Sequence, residues 1–286
     1  MNKYFLPNID LNQFYPVYIG DRKRYATSTG VSFINENLIL VASYFGKKIY
    51  LVDISEKSFN IIDEYESEFF IDLIDYKDGM ISATHLPYQK SCGSVSLLSL
   101  INNKISFIQN IKLDGISPHG CSIIDNSTLI VSNIADFNRG CIIIDINTEK
   151  YNVLNNILYY PKDTYICGDK LFILTIESRP KIHTATKIGK SIIYIYNLKD
   201  LKKIDQIEFF GQSDGITING NYGFITVQDK DSIQCFNINE NKLTLSKMIP
   251  GFNFPHGISS YGSKVAITNY GDNSVDIYDI EELIKD

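Results

Sequence analysis

The chain has no tryptophan and no C-x-x-C pair, and its only arginines are Arg22, Arg24, Arg139 and Arg179. No apolar run approaches the roughly 20 residues that a membrane helix needs, so no membrane association is expected. Residues 1–16 contain no continuous apolar stretch behind a basic start, and no secretory leader is read there. There is no cationic surplus either. The 27 Lys+Arg stand against 33 Asp+Glu, a net charge of -6. A nucleic-acid partner is therefore not expected, because a phosphate backbone must meet a basic footprint. The five cysteines, Cys92, Cys121, Cys141, Cys167 and Cys235, are odd in number and scattered. That pattern suits reduced thiols in the cytoplasm, acting as small core hydrophobes, rather than a disulfide frame. Three catalytic signatures are also missing: the Gly-x-Ser-x-Gly elbow, the glycine-rich phosphate loop and His-Glu-x-x-His.

What is present favours strands. Hydrophobic residues make up 44% of the chain, enough for a full core, and the 19 Tyr and 16 Phe accompany short clusters rich in Ile, Val and Thr. These clusters repeat. Thr29-Gly30-Val31-Ser32-Phe33, His119-Gly120-Cys121-Ser122-Ile123, Asp214-Gly215-Ile216-Thr217-Ile218 and His256-Gly257-Ile258-Ser259-Ser260 each open a short strand. A polar turn, a stronger apolar strand and a third strand follow each of them. Divergent copies begin near Asp72 and Asp163. The anchors Gly30, Asp72, Gly120, Asp163, Gly215 and Gly257 are 42, 48, 43, 52 and 42 residues apart. A period of about 40–45 residues with four short strands per unit is the mark of a propeller blade. The sequence therefore predicts an all-β fold: one six-bladed β-propeller domain over residues 1–286, built of four-stranded antiparallel blades. The last unit ends after its third strand, so residues 14–20 (Tyr15-Pro16-Val17-Tyr18-Ile19) are expected to complete that blade and close the ring, leaving no open sheet edge.

The turns between first and second strands are short and polar, whereas the second-to-third connections reach residues 85–92 and 177–190. Long loops in compact domains usually carry function, which makes the face bearing them the one to search. The channel mouth there is predicted to carry Thr29, Asp72, His119, Asp163, Asp214 and His256. The two histidines lie in duplicated turns, Pro118-His119-Gly120 and Pro255-His256-Gly257. Imidazoles and carboxylates converging on one axis suit a divalent metal ion or general acid–base chemistry. Candidate catalytic residues are thus His119 and His256, and candidate metal ligands are Asp214, His119, His256 and Asp163. Such residues can also do no more than hold tunnel water or pack blades. His85, Arg139, Arg179 and Tyr270 are candidate substrate-binding residues. A basic rim that includes the two arginines would steer a small anionic ligand.

Phe254-Pro255-His256-Gly257-Ile258 followed by Ala266-Ile267-Thr268-Asn269-Tyr270-Gly271-Asp272-Asn273-Ser274-Val275 resembles the YVTN repeat. The repeats as a whole resemble the YVTN/lactonase-like and gluconolactonase-like propeller superfamilies. That resemblance implies one divalent cation at the strand starts, polarising a lactone carbonyl, with Ser213-Asp214-Gly215 matching a ligand position. His119 and His256 stand where the gluconolactonase-like pattern has Glu or Asn. The Pro-His-Gly turns are also similar to the streptogramin-lyase type of propeller, in which a histidine is the base that opens a cyclic ester. The expected activity is lactone or ester opening at the channel. The alternative is a noncatalytic ligand- or protein-binding scaffold.

Overall fold

A computed structural model describes residues 2–7, 17–19, 22–24, 27–86, 93–136, 139–177 and 189–285. The chain forms a six-bladed β-propeller whose blades are four-stranded antiparallel sheets. The innermost strands are Ser28–Asn35, Ile74–Lys77, Pro118–Asp125, Tyr160–Cys167, Ser213–Asn219 and Pro255–Tyr261. In blade one the order outward is Ser28–Asn35, Leu38–Ser43, Lys48–Asp53 and Asn60–Glu66, and blades two to five repeat this simple meander.

Burial explains why the middle strands read as nearly continuous apolar runs. Both faces of a blade are covered by its neighbours, so alternation gives way to unbroken hydrophobicity. Ile39, Leu40, Val41 and Ala42 are all fully buried. The outer strand Lys104–Leu113 faces solvent on one side and regains an alternating pattern. Six apolar clusters fill the six blade junctions. Phe172, Ile193, Ile216 and Phe236 join blades four and five, for instance, while Val31, Tyr50, Ala266 and Val275 join blades six and one. Part-buried carboxylates stitch the same junctions: Asp75 accepts the Ile123 N–H at 2.7 Å and Asp63 the Ile105 N–H at 2.7 Å.

The ring is closed by an N-terminal strand in the last blade, as expected, but a different segment supplies it. Asn2–Phe5 pairs antiparallel with Ser274–Asp279, from Asn2 opposite Ile277 to Phe5 opposite Ser274. Val17–Ile19, from the segment 14–20 expected there, instead pairs with Arg22–Arg24 in a separate hairpin; the rest of that segment lies outside the described residues. The physical reason is side-chain fit. Tyr4 stacks on Phe59 with centroids 5.0 Å apart, Leu6 is 3% exposed, and Lys3 reaches Asp272 Oδ2 at 3.1 Å. The closing strand thus places apolar groups towards blade one and its cation on an acidic turn. Among the described residues, no helix is long and apolar enough to cross a membrane.

Candidate functional site

At or just before the start of five of the inner strands stands a residue whose side chain joins an axial cluster, and where glycine follows it that position is constrained by crowding. A Cβ on Gly257 would fall 2.3 Å from the Thr29 carbonyl oxygen, and one on Gly120 would fall 2.8 Å from the Lys162 carbonyl oxygen. Glycine is what lets adjacent blades approach so closely. Hydroxyls on the second strands complete the lock. Thr226 Oγ1 accepts the Gly215 N–H at 2.7 Å and donates to the His256 carbonyl at 2.7 Å. Thr84 donates to the His119 carbonyl at 2.5 Å, and Ser132 to the Lys162 carbonyl at 2.7 Å. His256, His119 and Lys162 are therefore each held by the blade that precedes them.

Five axial side chains meet. Asp72 and Asp214 come from the opposed blades two and five, and His119 and His256 from the opposed blades three and six. His119 Nε2 lies 3.5 Å from Asp72 Oδ2 and 3.3 Å from Asp214 Oδ1. His256 Nε2 lies 3.5 Å from Asp72 Oδ1 and 3.4 Å from Asp214 Oδ2. The two imidazole planes are 19° apart, with centroids 5.7 Å apart. Lys162 of blade four supplies the fifth group, an ammonium that pairs with Asp214 and sits 2.7 Å from His119 Nε2. All five residues are buried.

The hydrogen bonds set the protonation pattern. His119 Nδ1 is 2.8 Å from the Lys162 carbonyl oxygen and so carries the proton. Its Nε2 lone pair then accepts from the Lys162 ammonium. Burial pushes the His256 imidazole pKa down, against the pull of Asp214 and Asp72, which favours the neutral ring. Burial alone would raise Asp214, but the Lys162 ammonium paired with it outweighs burial and holds that carboxyl well below the usual carboxylate range. His256 Nδ1 and Asp72 Oδ2 are buried without a hydrogen-bond partner. Tyr270 stacks on the outer side of His256, with centroids 5.1 Å apart. Burial, and behind it the charges of Tyr44, Asp72 and Asp214, raises its hydroxyl well above the ordinary tyrosine value.

The donor set fits a cation. Ligand atoms held tetrahedrally about 2.1 Å from an ion lie about 3.4 Å apart. Each imidazole Nε2 has one oxygen of each carboxylate at 3.3–3.5 Å, the two rings meeting different oxygens of each carboxylate. Those distances are long for hydrogen bonds. Ligand atoms of Asp72, His119 and His256 all lie within 4.8 Å of one another.

The sequence-predicted residues divide as follows. His119, His256 and Asp214 come together, with Tyr270 against them. Asp163 does not join the metal set. Its carboxylate accepts the N–H groups of Thr164 at 2.8 Å and Ile216 at 3.1 Å, bridging blades four and five. Asp163 holds the place that Gly120, Gly215 and Gly257 hold in their blades, and the axial place falls to the residue before it. Lys162 was thus missed, although Pro161-Lys162-Asp163 parallels Pro118-His119-Gly120 and would have revealed it. Asp72, expected at the channel mouth but given no role, completes the carboxylate pair. His85 stands apart from the cluster, with Nδ1 3.0 Å from the Phe70 carbonyl oxygen and Nε2 2.8 Å from Ser96 Oγ. Arg139 is exposed, its guanidinium 5.0 Å from the Tyr160 ring centroid. Arg179 lies outside the described residues.

No protein-family model matches this sequence, and no curated protein matches it. Solved structures do share the fold. One is the Kuenenia stuttgartiensis hydrazine synthase, with TM-score 0.59 and 13% identity, covering 88% of this chain and 83% of that one. Another is a luciferin-regenerating enzyme, with TM-score 0.61, 12% identity and coverage of 86% and 85%. A third is a chain of a nidogen/laminin complex, with TM-score 0.62, 15% identity and coverage of 83% and 88%. Enzymes and an assembly protein thus stand side by side among the neighbours, and identities this low carry the architecture alone.

Proposed function

We propose that the axial cluster is the site of a metal-assisted enzyme that opens a small lactone or ester. The observation that carries this reading is the buried meeting of two imidazoles and two carboxylates, each Nε2 standing 3.3–3.5 Å from an oxygen of both carboxylates. Asp72, Asp214 and His119 would hold a divalent cation, which when bound polarises a carbonyl oxygen and makes water more acidic. His119 suits ligation because the Lys162 carbonyl fixes its Nδ1 proton and aims Nε2 inward. His256 suits the base. It is kept neutral by burial and oriented by stacking between His119 and Tyr270 instead of by a bond at Nδ1. A neutral imidazole can take a proton from water as it adds to the carbonyl and the alcohol oxygen leaves. In the elimination variant it takes the proton from the carbon next to the one bearing the ester oxygen, so that a C=C bond forms as the C–O bond breaks and the carboxylate leaves. The carboxylate formed on ring opening is the anion that the exposed Arg139, beside Tyr160, would attract.

The test is elemental analysis of the purified protein together with turnover of a lactone and ester panel in the presence of Mg2+, Mn2+ or Zn2+. We expect about one equivalent of metal, and turnover reduced about 10^2–10^4-fold in His256→Ala, the usual range for losing a general base. Absence of metal uptake together with no turnover of any panel member would sink this reading. A binding scaffold is the second reading. It is favoured by Phe107 and Ile108, 54% and 52% exposed on the outer strand of blade two. A protein partner captured by the full chain and lost in Phe107→Ser would support that reading.

A further inference from the structure

We propose that Lys162 is the resident cation of the axial site, and that a divalent metal ion binds there only by displacing its ammonium. This rests on the cation site of the proposed function and adds the residue that regulates it. An imidazole nitrogen has one in-plane lone pair. At His119 the Nδ1 position is committed as a donor to the Lys162 carbonyl, so Nε2 is the sole ligating atom. Its lone pair accepts from Lys162 Nζ at 2.7 Å. Metal and ammonium therefore compete for the same electron pair.

The carboxylates repeat the conflict. Lys162 Nζ also pairs with Asp214 Oδ1, which lies 3.3 Å from His119 Nε2. The ammonium thus occupies two of the atoms that would coordinate an ion. Charge works in the same direction. Two buried carboxylates and one ammonium are close to balance, whereas a divalent ion added beside the ammonium would be repelled at short range in a low-dielectric site.

The arrangement also prepares the exchange. Lys162 touches His119 twice, through its carbonyl at Nδ1 and through its ammonium at Nε2. The carbonyl belongs to backbone held by Ser132 Oγ at 2.7 Å, and the ammonium sits at the end of a flexible stem. When the stem swings away, the carbonyl still orients the ring. The metal-free site thereby has one of its two negative charges balanced from within, and the loaded site needs no rebuilding of the inner strand.

The experiment is calorimetric titration of Mn2+ into the metal-stripped full chain at one fixed pH, for wild type, Lys162→Met and Lys162→Arg. Breaking two charge-assisted hydrogen bonds is what metal binding must otherwise pay for, so Lys162→Met should bind Mn2+ about 10- to 100-fold more tightly than wild type. Lys162→Arg keeps a cation and should stay near the wild-type affinity. If wild type binds Mn2+ and Lys162→Met binds it no more tightly, the displacement idea fails while the cation site stands. If no variant and no wild type takes up Mn2+, both fall. Should Lys162→Met fail to fold, crystal structures of the wild type with and without Mn2+ decide instead. An ammonium still on Asp214 and His119 beside bound Mn2+ overturns the proposal, and its departure upholds it.

Discussion

At the residue scale, the axial side chains work because other residues hold their backbones. Thr226 serves two neighbours at once, receiving the Gly215 N–H and donating to the His256 carbonyl. Thr226→Val conserves shape but strands a buried donor and a buried acceptor. We expect a loss of about 2 kcal/mol in unfolding free energy, measured by urea titration. An unchanged midpoint would show that this hydroxyl does not lock the His256 strand. His85 illustrates a different use of the same residue type. Both of its ring nitrogens are engaged, and burial lowers its pKa from 6.5 to about 4. Histidine identity in the sequence could not separate it from His119 and His256. The repeat did, because His85 follows a second strand while the other two begin inner strands.

At the element scale, the informative strand is the one that closes the ring. Asn2–Phe5 covers the edge of Ser274–Asp279 and brings Tyr4 and Leu6 to the junction of blades six and one. Removing residues 1–7 should lower the unfolding free energy by about 3–5 kcal/mol, from the apolar burial lost and the edge exposed. Equal melting of the truncated and full-length proteins would contradict this. That the last blade lacks a strand was readable from the chain, since the final repeat stops after Ser274–Asp279. Which segment returns was not. Residues 15–19 have the stronger strand composition, whereas Asn2–Phe5 has the matching partners: Phe59 for Tyr4 and Asp272 for Lys3. A second misreading is one of alignment. Asp163 holds the place of Gly120, Gly215 and Gly257, so the axial side chain of blade four is the residue before it, as Pro161-Lys162 set beside Pro118-His119 shows.

At the scale of the whole molecule, stability should respond to pH through groups buried between blades. The His85 pKa is lowered on folding from 6.5 to about 4. The unfolded chain therefore binds the proton more tightly, and the stabilisation is present above about pH 6.5 and lost as pH falls towards 4. Asp75 acts in the opposite sense. Burial raises its carboxyl from 3.8 to about 6, so its contribution is present below about pH 3.8 and lost as pH rises through 6. The two oppose each other in the wild type, so the His85 part is best read as a difference. The stability gap between wild type and His85→Gln should widen by about 3 kcal/mol from pH 4 to pH 6.5. A gap that does not change with pH would show that His85 is not buried as the neutral ring.

The sequence by itself determined the architecture. A period of roughly 40–45 residues, four short strands per unit and an incomplete last unit leave little but a six-bladed ring, because each strand's apolar pattern is local and repeats. It also marked His119, His256 and Asp214, since an inner strand that starts with a polar residue followed by glycine stands out in the one-dimensional text. Tertiary structure decided which of these side chains face one another. Asp72 meets Asp214, and His119 meets His256, only because blades separated by half the chain stand opposite each other across the axis. Lys162 enters their midst from the equivalent position of blade four. Sequence spacing records the blades, but distances across a closed ring exist only once the ring has closed.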